Sequence, residues 1–362
     1  MRFIRLEECN EGMVTAKSIY GNNGTILLQI GAPLKTKEIE SLQKLGYPGV
    51  YIEDGFSNDI DVPDIVDSLT YNELKQAAKA LFEECKPTGV TNPDEIIDKN
   101  EITGIIKKVE TPFQKAIDQI IEKRSQAVNI TGIRTFESYT YQHCLDVCIL
   151  SILLGDELGL PRNELETLGK AALFHDIGKM SVPKTILEKP TDLAPSEFAE
   201  IKKHAQKGHD FLKKAFPDEI CTSVLYHHEK YDGSGYPNGI AGDNIPLYAK
   251  IISVANVYDA IISKRVHKIP NVAEAHEYIR DNAKIHFDPK IVEVFLCKVP
   301  PFPAGSSVAL SNGRKALVVE NRLNNLTRPL VKLIDKALRS DGVYIDMAQD
   351  NNARSIAITG LI

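Results

Sequence analysis

The 362-residue sequence predicts a mainly α protein, a central helical bundle flanked at both ends by small β-rich modules. Two observations carry this. Nearly every segment between about residues 101 and 299 repeats its apolar positions with a helical period and stops at glycine or proline. At both ends the pattern changes to short alternating runs punctuated by turn residues.

Residues 1–60 hold β-like runs at Thr25–Ile30 and Val50–Ile52, separated by Gly21, Gly24, Gly31 and Gly46, with one helix near Thr36–Leu45. Residues 61–100 follow as a helical connector and linker. Ile65, Leu69, Leu74, Ala77, Ala78 and Leu81 fall on a helical period, and the polar stretch Lys86–Asp94, with two prolines and a glycine, breaks it. Residues 101–299 are expected to form the all-α domain. Residues 300–362 open with Pro300-Pro-Phe-Pro303 and continue as strand-like runs at Ser307–Leu310, Lys315–Glu320 and Leu330–Ile334, a small β-rich C-terminal module.

With 25% charged and 43% hydrophobic residues, the composition is that of an ordinary globular chain. A net charge of −6 argues against binding nucleic acid polymers, but leaves room for a small anionic ligand in a locally basic pocket. The six cysteines form no C-x-x-C pair, so neither a disulfide framework nor a zinc ribbon is expected; Cys144 and Cys148 read as small apolar core residues. No signal-peptide run opens the chain and no stretch nears the roughly 18 apolar residues of a membrane span, so a cytoplasmic protein is expected.

The residues that carry chemistry are histidines and one carboxylate. His175-Asp176 closes a helix whose face carries Leu165, Leu168 and Ala172, and Gly178 follows as a stop. An adjacent imidazole and carboxylate can reach one metal, and the second carboxylate oxygen can bridge to another. Alone the dipeptide means little. It has company: His143 on a stripe with Val147, Leu150 and Leu154, then His204, then His227-His228. Imidazole with carboxylate, and no thiolate, suits iron or manganese.

Over about residues 135–297 the sequence resembles the HD-GYP subgroup of the HD phosphohydrolases. Tyr141-Gln-His143, Phe174-His-Asp-Ile-Gly-Lys179, Lys203-His204 and above all Tyr226-His-His-Glu-Lys-Tyr-Asp-Gly-Ser-Gly-Tyr-Pro237 carry the resemblance, with Asp259-Ala260 and Phe287-Asp-Pro289 beyond them. The resemblance implies an HD-type helical bundle holding two divalent metal ions, iron or manganese, that hydrolyses a cyclic dinucleotide, cyclic di-GMP first, by metal-bound hydroxide. It implies metal ligands at His143, His175, Asp176, His204, His227, His228 and Asn256, with Asp176 and Lys179 catalytic. Arg265, Lys268, Asp232, Gly235, Tyr236 and Pro237 would contact the substrate. Three places depart from the family pattern: Arg265-Val266-His267 stands where the family usually has Arg-Pro-Tyr, Tyr139 where three-metal members carry glutamate, and Asn256 where the last ligand is aspartate. A neutral amide holds a metal more weakly than a carboxylate, so reduced activity is expected. An impaired domain acting as a dinucleotide-binding or protein-interaction signalling scaffold is the alternative, as is a hydrolase for another nucleotide. The terminal modules leave a homodimer or a signalling partner open.

Overall fold

The computed structural model describes residues 1–21, 23–84, 99–127, 139–187, 189, 191–263, 272–334 and 342–362. The chain is mainly α, and among the described residues its small β-sheets lie at the two ends. The linker stretch 86–94 lies outside the described residues.

The N-terminal part comprises β1 (Arg2–Arg5), β2 (Val14–Thr15), β3 (Ile19–Tyr20), β4 (Ile26–Leu28), α1 (Thr36–Lys44) and β5 (Gly49–Glu53). β5 lies between β1 and β2, antiparallel to both, while β3 and β4 form a separate hairpin. Ile39 and Leu42 of α1 close a small core with Ile4, Leu34 and Val50.

Eleven α-helices follow among the described residues: α2 (Ser68–Glu84), α3 (Lys99–Glu122), α4 (Tyr139–Glu157), α5 (Arg162–Phe174), α6 (Lys184–Leu187), α7 (Pro195–Lys202), α8 (His204–Leu212), α9 (Asp218–Tyr226), α10 (Leu247–Ser263), α11 (Val272–Asp281) and α12 (Pro289–Lys298). The main core is built round α4, whose residues Cys144–Leu154 are all buried. A helix apolar on every face must lie inside a bundle, and α2, α3, α5, α10 and α12 all pack on it. Leu74, Ala78, Leu81 and Phe82 of α2 join this same core, so the connector helix is part of the bundle's packing. Asp288 caps α12 by accepting from the Lys290 amide, with Pro289 at the first helical position, which accounts for the Phe287-Asp-Pro289 run.

The C-terminal part is an antiparallel sheet in the order β10-β6-β7-β8-β9, from β6 (Ser307–Leu310), β7 (Lys315–Glu320), β8 (Leu330–Ile334), β9 (Tyr344–Asp346) and β10 (Ile358–Leu361). It docks on the N-terminal part. Tyr51, Ile60 and Val62 meet Leu317 in a shared cluster, and the buried Lys332 ammonium donates to Phe56 O at 2.8 Å and to Asp59 at 3.0 Å. Among the described residues no helix is long and apolar enough to cross a membrane.

Candidate metal centre

Four chain segments deliver their histidines to one point. α5 ends at Phe174, and His175 forms its C-cap. The chain then tightens into a 3₁₀ turn over Ile177–Ser181 that packs against α8, whose first residue is His204. α9 ends at Tyr226 with His227 as its C-cap and His228 beyond. His143 enters from α4, one turn into that helix.

Gly178 was expected as a helix stop, but its φ is not positive, and α5 has already ended before it. Its purpose is close approach: a Cβ here would lie 2.0 Å from His204 O and 2.6 Å from Gly208 N. Any side chain would push the 3₁₀ turn off α8 and part His175-Asp176 from His204.

Three rings are set by one device. The Nδ1 of His175 lies 2.7 Å from Ala172 O, that of His204 2.6 Å from Ile201 O and that of His227 2.6 Å from Val224 O, each three residues upstream. A carbonyl only accepts, so each Nδ1 carries the proton and each Nε2 turns a lone pair inward. His143 uses a carboxylate for the same end, its Nδ1 donating to Asp259 Oδ2 at 2.7 Å in a buried pair.

The inward atoms converge on Asp176. Its Oδ2 is 3.7 Å from His143 Nε2 and 3.5 Å from His175 Nε2, and its Oδ1 is 3.4 Å from His204 Nε2. The Nε2 atoms of His204 and His227 stand 3.4 Å apart. Two groups are close enough to hold a metal ion, His143 with His175 and Asp176, and Asp176 with His204, His227 and His228, so Asp176 belongs to both.

The donor set fits a divalent cation. His175 Nε2 and Asp176 Oδ1 are buried without a hydrogen-bond partner, a cost seldom left standing unless something else binds there. Lone pairs facing each other at 3.4 Å repel unless a cation lies between them. The protonation states agree. Burial pushes the His175 imidazole down to about 4 and lowers those of His204, His227 and His228, so the rings are neutral near pH 7. Burial alone would raise the Asp176 carboxyl, but the Lys179 ammonium, donating to Oδ2 at 2.6 Å, leads the charges that hold it well below the ordinary carboxylate range.

The loop after His228 lies on the cluster. Tyr236 stacks on His228, ring centroids 4.6 Å apart at 21°, and the Lys202 ammonium lies 5.0 Å from the centre of the Tyr236 ring. Gly235 is forced by space, since a Cβ would come within 2.3 Å of Lys230 N, and Gly233 by its φ of +84°. Pro237 follows Tyr236 through a cis peptide and is exposed. The Asp232 carboxylate is also exposed and closes a turn on the Ser234 amide and hydroxyl.

Asn256 is buried on α10, one turn before Asp259 and so on the same helix face. Tyr139 is the first residue of α4. Arg265 and Lys268 lie outside the described residues. Two residues of the centre's surroundings were given no role from sequence. Asp259 stands inside a recognised block, yet its bond to His143 crosses 116 positions. Glu229 is buried and its Oε1 accepts the Asn238 and Gly239 amides, pinning the loop; only its place within the Tyr226–Pro237 motif marks it.

The residues that build this cluster fall in a stretch of sequence similar to known proteins. Residues 115–291 match the model of the HD domain family. A cyclic di-GMP phosphodiesterase of Pseudomonas aeruginosa is 38% identical over 226 residues, 60% of this chain and 53% of that protein. A probable cyclic di-GMP phosphodiesterase of Vibrio cholerae is 43% identical over 148 residues, 38% of this chain and 34% of that protein. A 3'3'-cGAMP-specific phosphodiesterase of the same organism is 36% identical over 161 residues, 43% and 31% of the two chains. The chain thus spans about half or less of the length of these curated relatives.

Proposed function

Residues 115–291 make this chain a member of the HD domain family, and from that premise we propose that it is a metal-dependent phosphodiesterase whose substrate is a cyclic dinucleotide, cyclic di-GMP first. The observation that carries the proposal is the pair of ligand groups sharing Asp176. His143, His175 and Asp176 would hold one divalent cation, and Asp176, His204, His227 and His228 a second; iron or manganese suits imidazole and carboxylate without thiolate. Such a pair, when bound, supplies positive charge that polarises a phosphoryl group and activates water near neutral pH.

The protein's own groups do the positioning. The carbonyl-anchored imidazoles keep their lone pairs inward without rearrangement, and Asp259 orients His143. Lys179, 30% exposed and held on Asp176, would donate to a phosphoryl or departing oxygen from there. The loop carrying Asp232, Gly235, Tyr236 and Pro237 would form one wall for the substrate, with Arg265 and Lys268 taking phosphate on another. The relatives act on cyclic dinucleotides with different bases, in keeping with motifs that fix the metals more tightly than the base.

Asn256 supports a second reading, an impaired domain that binds the dinucleotide and signals by doing so. One experiment separates the two: cyclic di-GMP turnover by wild type and Asn256→Asp under anaerobic conditions, with manganese titrated. The enzyme reading expects hydrolysis by wild type that rises with added metal, and a variant that reaches its plateau at less metal because a carboxylate binds a hard cation better than an amide does. Binding without hydrolysis by either protein, at any metal concentration, would establish the scaffold instead.

A further inference from the structure

A cavity of about 120 Å³ lies where the N-terminal part, α2 and α4 meet, lined by none of the metal-centre residues. That is roughly the room of one benzene-sized molecule. Tyr20, Tyr47 and Tyr51 from the N-terminal part and Tyr71 from α2 give it aromatic walls. Most of its polar groups have partners. The Tyr47 hydroxyl donates to Tyr20 O at 2.7 Å, that of Tyr71 to Asp146 Oδ1 at 2.8 Å, and Lys17 pairs with Asp64 at 2.6 Å.

Two groups on α2, one turn apart, do not. Lys75 is only 8% exposed, lines the cavity, and makes no hydrogen bond or ion pair with any described residue. Asn72 gives its amide N–H to Gly24 O, which fixes its orientation and leaves Oδ1 buried without a hydrogen-bond partner. A buried ammonium with no acceptor is costly, and an orphaned amide oxygen adds to the cost. Burial lowers the Lys75 ammonium from its ordinary value, and the Asp146 carboxylate, which makes no hydrogen bond to it, opposes that shift.

We propose that this cavity is a binding site for a small hydroxy-carboxylate, its carboxylate on Lys75, its hydroxyl donating to Asn72 Oδ1 and its carbon body against the tyrosines. A carboxylate supplies the acceptor Lys75 lacks, a hydroxyl the donor Asn72 lacks, and the volume limits the rest to a few carbons. The floor includes Gln142 and Asp146 of α4, which bracket His143, so an occupant touches the helix that carries a residue of the metal cluster.

Calorimetry on the full chain tests this with 3-hydroxybutyrate and benzoate, each compared with its uncharged amide. Saturable binding of 3-hydroxybutyrate is expected, with its amide about tenfold weaker, the worth of a charge-assisted hydrogen bond. Lys75→Met should weaken both carboxylates to a similar degree, because it removes the ammonium that both would meet. Asn72→Leu should weaken 3-hydroxybutyrate and leave benzoate, which has no hydroxyl, unchanged; this second variant keeps the test decisive should the first misfold. No saturable binding of either carboxylate by wild type, amides binding as well as acids, or wild-type affinity in Lys75→Met would overturn the proposal.

Discussion

At His175, His204 and His227 the backbone chooses the tautomer, and at His143 a distant carboxylate does. The difference predicts unequal robustness. A carbonyl three residues upstream cannot be mutated away, but Asp259 can. Asp259→Ala frees the His143 ring to turn, and affinity for manganese should fall about 10–100-fold, the usual cost of losing a group that orients a ligand; a competition titration with a metal-sensitive dye reads it. Unchanged affinity would mean that His143 is not a ligand. Away from the centre, His276 of α11 is buried beside Phe295, with Nε2 unpartnered, and its imidazole is pushed down to about 4 by burial first and Arg280 second. Its folded pKa lies below the ordinary 6.5, so between those values the unfolded chain takes up a proton that the folded chain refuses. Stability is therefore full above about pH 6.5 and lost as pH falls towards 4, by on the order of 1–3 kcal/mol from this residue. Urea melts at pH 7 and 5 should show a smaller acid loss for His276→Leu than for wild type; equal losses would refute this.

At the scale of elements, the contact between the 3₁₀ turn and α8 is what brings His175-Asp176 to His204. Gly178→Ala places a methyl group 2.0 Å from backbone, so the two elements must separate, and a loss of about 1–3 kcal/mol is expected together with weaker metal retention. Gly104→Ala in α3, where a Cβ meets nothing within 4 Å, should instead gain about 0.4–1 kcal/mol. Thermal melts of the two variants check both signs, and equal shifts would mean that the close approach at Gly178 is not constraining. The same contact shows what could be read from sequence. The helices of the bundle were legible because burial imposes a period, and the runs that became β6, β7 and β8 because short apolar, β-branched runs stand there between turn residues. β9 and β10 were not, since Tyr344–Asp346 and Ile358–Leu361 are short, largely unburied strands with no alternation to betray them. The histidine cluster was legible as motifs, but the reason for Gly178 was not, because close approach to a helix 26 or more residues onward leaves no local trace.

At the scale of the molecule, a bundle built on α4 joins two places: the metal cluster at His143, and the cavity beside Gln142 and Asp146. The two ends of the chain close on each other through the Tyr51–Leu317 cluster and Lys332, so the β-rich parts lie together although more than 200 residues separate them. The central claim is narrower than this architecture. It is that Asp176 serves both ligand groups, and elemental analysis of anaerobically purified protein, reconstituted with manganese and desalted, tests it most directly. The account predicts about two equivalents or fewer in wild type and near none in Asp176→Ala, because one carboxylate belongs to both groups. Undiminished metal in a folded Asp176→Ala variant, or none in wild type, would contradict it.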